Sequence, residues 1–131
     1  MKNFHLLFGL VVVVIFLLTG QFMDHYHNHL VGMEVGPRML YRTRHIFILL
    51  AGLLNVGLGS YLSYRREAWR RVLQVLGSAL IVVATVLFIV AFFYEPKLAN
   101  LYTPLSHKGM YAILAGTFLH LFGNLGEPLK D

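Results

Sequence analysis

With 131 residues, 57% hydrophobic and 13% charged, and with no cysteine, the chain departs from soluble domains, in which about 25% of residues are charged. A mean hydropathy of +0.65 points to a bilayer rather than an aqueous core. The composition excludes intrinsic disorder, a disulfide scaffold, a cysteine nucleophile and thiolate metal sites. Eleven Lys+Arg stand against six Asp+Glu, but the basic residues lie between apolar runs and form no patch with interleaved aromatics. They read as topology signals, and nucleic acid is not an expected partner.

Four runs carry no formal charge: Phe4 to Phe22, Ile46 to Tyr64, Val72 to Tyr94 and Gly109 to Leu125, of 19, 19, 23 and 17 residues. At 1.5 Å per helical residue they reach roughly 26 to 35 Å, the hydrocarbon thickness of a bilayer. Lys2 followed by an apolar stretch resembles a signal peptide, but the run is too long for a signal core and lacks a small-x-small site, so it reads as an uncleaved helix. The expected fold is an all-α integral membrane protein, a four-transmembrane-helix up-down-up-down bundle, with residues 1–131 as one domain. The lipid bilayer is the expected environment. Other membrane-protein subunits, or further copies of the chain, are the expected partners.

Both termini then share one side with the loop between the second and third spans. That side holds Lys2, Arg65, Arg66, Arg70, Arg71 and Lys130, and the other holds Arg38, Arg42, Arg44, Lys97 and Lys108. The dense arginine loop favours cytoplasmic termini in a bacterial inner membrane. Tyr61, Tyr64 and Trp69 are expected at the inner interface, and Phe92, Phe93, Tyr94, Tyr102 and Tyr111 at the outer one.

Each span has a stripe of small or polar residues, the kind through which helices approach closely in lipid. These are His5, Gly9, Val13, Phe16 and Gly20 on the first, and His45, Gly52, Asn55, Gly59 and Ser63 on the second. The third offers Gln74, Gly77, Ser78 and Thr85; the fourth offers Gly109, Ala112, Gly116, His120 and Gly123, with Asn124 beside them. The glycines read as ordinary packing, and Asn55, Gln74 and Thr85 as hydrogen-bonding glue.

Seven histidines are the most informative residues. His25, His27 and His29 form an H-x-H-x-H run after Asp24. An extended segment would align all three imidazoles, whereas a helical turn would align only His25 and His29. With Asp24 they suggest zinc or copper, and Met23, Met33 and Met39 lie nearby as thioethers for Cu(I). The alternative is a solvated, histidine-rich rim.

His45 and His107 stand at the outer mouths of their spans, while His5 and His120 lie toward the inner side. Two histidines from different helices can ligate haem b. The first pair is the expected ligand set, with Arg38, Arg42 and Arg44 meeting the propionates; His120 with His5 is the fallback. Thirteen residues separate His107 from His120, about 140° around a helix, so both cannot face one axis. Interfacial snorkelling, helix capping or interhelical hydrogen bonding are the structural alternatives.

Arg38, Tyr41, Arg42 and His45 share a helical face that suits lipid phosphate or an anionic substrate, or pairing with Glu34 and Glu95. Gly36-Pro37 marks a helix start two turns ahead of the second span. No phosphate loop, HExxH, nucleophile elbow or CxxCH is present. The resulting expectation is a histidine-based redox or metal site, in an electron-transfer or accessory module of a membrane complex. A cofactor-free structural subunit or assembly factor is the second reading, and metal handling at HYHNH the third.

Overall fold

The computed structural model describes residues 1–61, 63, 65–98 and 100–125. Tyr64 and Lys130, assigned above to the inner interface and the inner charge balance, lie outside the described residues. Four helices account for nearly all of the described chain: α1 (Lys2–His27), α2 (Val35–Tyr61), α3 (Ala68–Tyr94) and α4 (Pro104–Asn124). Single 3-10 turns follow α1 at Asn28–Leu30 and α3 at Glu95–Lys97.

The helices extend past the charge-free runs wherever local chemistry permits. α1 continues through the HYH segment and stops at Asn28, whose φ of 45° is left-handed, a conformation that asparagine tolerates better than most residues. α2 begins at Val35 with Pro37 in its first turn, the lead-in marked by Gly36-Pro37, where a missing backbone N–H is harmless. α3 begins after Glu67, whose carboxylate pairs with Arg70 at 2.9 Å and complements the positive end of the helix dipole.

Successive helices run antiparallel in two close pairs. In the α1/α2 pair, a Cβ placed on Gly59 would come within 2.3 Å of the Leu6 backbone, so only glycine permits that approach. In the α3/α4 pair, Gly77 and Gly116 face each other. A Cβ on either would lie 2.7 Å from the other's carbonyl oxygen. α2 and α3 join the two pairs, whereas α1 and α4 make few close backbone approaches. Val12, Ile48, Ala51, Ile81, Ala84, Phe88 and Phe92 form the core between them.

The polarity of this molecule is inverted relative to a water-soluble bundle. Large apolar side chains such as Leu7, Leu17, Leu53, Val83 and Phe118 are exposed, while His5, Asn55, Gln74, Thr85 and Glu95 are completely buried. Such an exterior suits hydrocarbon, where packing relies on small residues and internal hydrogen bonds. α1, α2 and α3 are each long and apolar enough to cross a membrane; α4 is not among them. His107, Lys108, His120 and Asn124 dilute its apolar character.

Two placements differ from the sequence reading. α1 buries His5 and Gly9 as expected, but then Val12 and Thr19 rather than Val13 and Gly20, one position earlier, with Phe16 half-buried. Phe92 is fully buried, with its ring edge-on to Phe22 and Tyr41, so it belongs to the core and not to an interfacial girdle. Tyr61, Trp69, Phe93, Tyr94, Tyr102 and Tyr111 are exposed.

Candidate functional site

Apart from Gln74, which donates to Ser63 O and Asn124 Oδ1 at 3.1 Å each, two groups of buried polar side chains stand out, one in each half of the bundle. The inner group starts from His5 on α1, whose Nδ1 lies 2.7 Å from Asn55 Oδ1 on α2. Asn55 Nδ2 donates to Ala51 O at 2.9 Å and to Thr85 Oγ1 at 3.1 Å. Thr85 in turn donates its only hydroxyl proton to Ile81 O at 2.7 Å.

Counting protons along this chain fixes every role. The Thr85 hydroxyl can only accept from Asn55, so the Asn55 amide nitrogen faces α3 and its oxygen faces His5. His5 Nδ1 therefore carries the hydrogen. In the neutral ring Nε2 is then a bare lone pair, and this atom is buried with no hydrogen-bond partner.

His120 mirrors this arrangement from α4. Its Nε2 lies 3.2 Å from Ser78 Oγ on α3, and its Nδ1 is buried without a partner. Gly77 makes room for the ring, since a Cβ there would sit 2.9 Å from His120 Cδ2. The Nε2–Cδ2 edge thus faces α3 and the Nδ1 edge turns away from it. His5 and His120 are completely and nearly completely buried. They stand on α1 and α4, which make few close backbone approaches.

The outer group is built on Glu95, which is also fully buried. Its Oε1 accepts from the backbone N–H groups of Leu105 and Ser106 at 2.9 and 2.8 Å. Its Oε2 accepts from Ser106 Oγ at 2.6 Å and from Arg44 Nε at 2.7 Å. The carboxylate caps the first turn of α4, where free N–H groups and the helix dipole favour an anion. Four donors on two oxygens require the ionised form. Arg44, itself buried, supplies the compensating charge from α2.

The structure does not unite His45 with His107. The His45 ring stacks on Phe16 at a centroid distance of 4.0 Å, and its Nδ1 lies 2.9 Å from Thr19 Oγ1 on α1. His107 is exposed on α4, with its Nε2 3.5 Å from Oγ1 of Thr103, the residue that precedes the helix. Arg44, assigned above to a propionate, is committed to Glu95, and it lies off the Arg38–Arg42–His45 face expected to pair with that residue. Arg42 is exposed and Arg38 half-buried.

At HYHNH the continuing helix breaks the alignment that an extended segment would give. His25 is exposed, and the His27 ring packs 5.0 Å from that of Tyr41. His29 leaves the helix with a left-handed φ of 56° and pairs through Nδ1 with Asp24. Met23, Asp24, His29 and Arg42 line part of an open cleft of about 520 Å³. Among the described residues, no three His, Cys, Asp or Glu side chains are placed to hold a metal ion together.

Of the histidines singled out by sequence, His5 and His120 are the two that the structure buries. Of their partners, the sequence marks Asn55 as hydrogen-bonding glue and Ser78 as part of a packing stripe, and it does not single out Thr19, the partner of His45. Polar side chains on the stripe facing a histidine were the available signal. No protein family, characterised protein or solved structure matches the chain.

Proposed function

We propose that this chain is a small polytopic membrane protein, an up-down-up-down bundle of four spanning helices, whose working site is a histidine-based redox or metal site at His5 and His120. The observation that carries this reading is the pair of unpartnered imidazole nitrogens, His5 Nε2 and His120 Nδ1, inside the bundle. A buried polar atom without a partner costs about 1–3 kcal/mol, and ionisable residues inside membrane spans mark functional sites by default. α4 then crosses the membrane as part of the bundle, its apolar dilution reflecting the histidine that it brings to the site.

Both termini lie on the cytoplasmic side of a bacterial inner membrane in this reading, which the arginine-rich segment Arg65–Arg71 supports. The apolar outer faces contact lipid and the helices of a larger membrane complex, in which the protein serves as an accessory or electron-transfer module.

The test is an absorption spectrum with elemental analysis of protein purified in mild detergent. A stoichiometric metal or haem is expected, absent from His5→Ala and His120→Ala and retained in His45→Ala and His107→Ala. A colourless, metal-free protein with intact helicity would sink this reading and leave a cofactor-free structural role.

A further inference from the structure

Around the outer end of α1 two hollows of opposite character flank the same residue. The first is the open cleft of about 520 Å³, whose polar lining is Gln21, Asp24, His29 and Arg42. Its size falls within the range of about 300–1,000 Å³ that small-molecule sites occupy. The second, of about 390 Å³, is a groove walled mainly by Ile15, Leu18, Phe22, Tyr26 and Phe93. Gln21, exposed on α1, lines both.

The charges in the cleft are not closed on each other. His29 answers Asp24 through its Nδ1, whereas Arg42 makes no hydrogen bond or ion pair among the described residues. Arg44 on the same helix is by contrast committed to Glu95. A guanidinium presents its N–H donors in a fixed fork that matches phosphate geometry. With the Gln21 amide beside it, the cleft therefore offers a cation and a neutral donor to an anionic group.

The groove offers hydrocarbon contact. It follows α1 for about three turns from Tyr26 back to Ile15, away from the outer end and toward the middle of the bilayer. A ligand that fills both hollows carries an anion at one end and an apolar chain at the other. Basic pockets between membrane helices take lipid headgroups in this way. Resting on the membrane reading above but not on its histidine site, we propose that cleft and groove together hold one phospholipid from the leaflet at this end of the bundle. Its phosphate lies on Arg42 and Gln21, and an acyl chain lies along Leu18, Phe22 and Phe93.

The full chain, purified in mild detergent, is to be weighed by native mass spectrometry and assayed for phosphorus. One phospholipid per chain is expected, depleted in Arg42→Gln and in Gln21→Glu, which sets a carboxylate against the phosphate. Both side chains are exposed, so helicity by circular dichroism is expected to stay unchanged. Lys108→Gln, which removes an exposed cation of α4, is expected to keep the lipid.

The delipidated chain is then titrated with phospholipid, diacylglycerol and inorganic phosphate. Arg42→Gln is expected to weaken phospholipid binding about 10–100-fold, the loss that follows removal of hydrogen bonds to a charged group. Diacylglycerol lacks the phosphate and inorganic phosphate lacks the chains, so each is expected to bind as weakly as phospholipid binds the variant. A phospholipid with a photoreactive acyl chain is expected to label the Ile15–Tyr26 stretch of the parent, and less of it in Arg42→Gln. Phospholipid held equally by Arg42→Gln, or diacylglycerol held as tightly as phospholipid, overturns the proposal. Inorganic phosphate bound as tightly as phospholipid overturns the lipid as the source of the phosphate. A chain that stays monodisperse without detergent overturns the membrane reading itself, an outcome distinct from the other two.

Discussion

The two buried polar groups differ in how completely they are closed. At the outer end every acceptor of Glu95 is engaged: two backbone N–H groups, one hydroxyl and one guanidinium converge on it. In the inner half each histidine is anchored through one nitrogen only, and the other nitrogen is left buried and free. A closed network has done its work once α2, the turn after α3 and α4 are tied together. An open one keeps coordinating capacity in reserve. Burial alone therefore does not separate a structural cluster from a site; the satisfaction of its atoms does.

The sharpest break of this contrast lies at the outer end. Glu95→Leu leaves Arg44 buried without its counter-ion, and Arg44→Met leaves the carboxylate without its cation. Each is expected to destabilise the bundle by about 3–5 kcal/mol, as removal of one partner of a buried pair does. Arg44→Met combined with Glu95→Leu is expected to recover part of that loss, though not the cap on α4. Equilibrium unfolding in mixed detergent and dodecyl sulfate measures all three. A single variant as stable as the parent would show that Glu95 does not close its network.

The inner half predicts the opposite behaviour. His120→Leu removes an unsatisfied nitrogen together with a single bond of 3.2 Å to Ser78, so loss and relief nearly cancel. The metal-free variant is expected to lie within about 1 kcal/mol of the parent by the same unfolding measurement. A loss as large as that at Glu95 would mean that His120 is a structural residue and that the contrast fails.

The sequence carried the helices plainly, because charge exclusion over a bilayer's width survives without any knowledge of packing. It also carried the small and polar stripes of α3 and α4, which the structure buries at Gln74, Gly77, Ser78, Thr85, Gly109, Gly116, His120 and Gly123. Partner choice was less legible. His45 and His107 sit at similar depth, but depth says nothing about azimuth, and Phe16 and Thr19 draw His45 toward α1. Glu95 was visible as a loop acid, yet its role depends on where α4 begins, and Pro104 and the Glu95–Lys97 turn set that together. The tautomer of His5 lay beyond sequence altogether, since it follows from the direction of three successive hydrogen bonds.

His45 offers the finest test of the distinction, because it resembles the inner histidines in sequence and the outer group in structure. Thr19 donates its proton to Phe16 O at 2.8 Å, so its oxygen accepts from His45 Nδ1. The ring is further held by stacking on Phe16, and His45 Nε2 is not among the buried unpartnered atoms. Interhelical bonds of this kind contribute about 0.6 kcal/mol in double-mutant cycles within membranes. A cycle of Thr19→Val and His45→Phe, the second keeping an aromatic ring against Phe16, is expected to give a coupling of that size. It is expected to leave bound metal unchanged. A loss of metal in His45→Phe with the fold intact would move the site outward and erase the line drawn between the two halves.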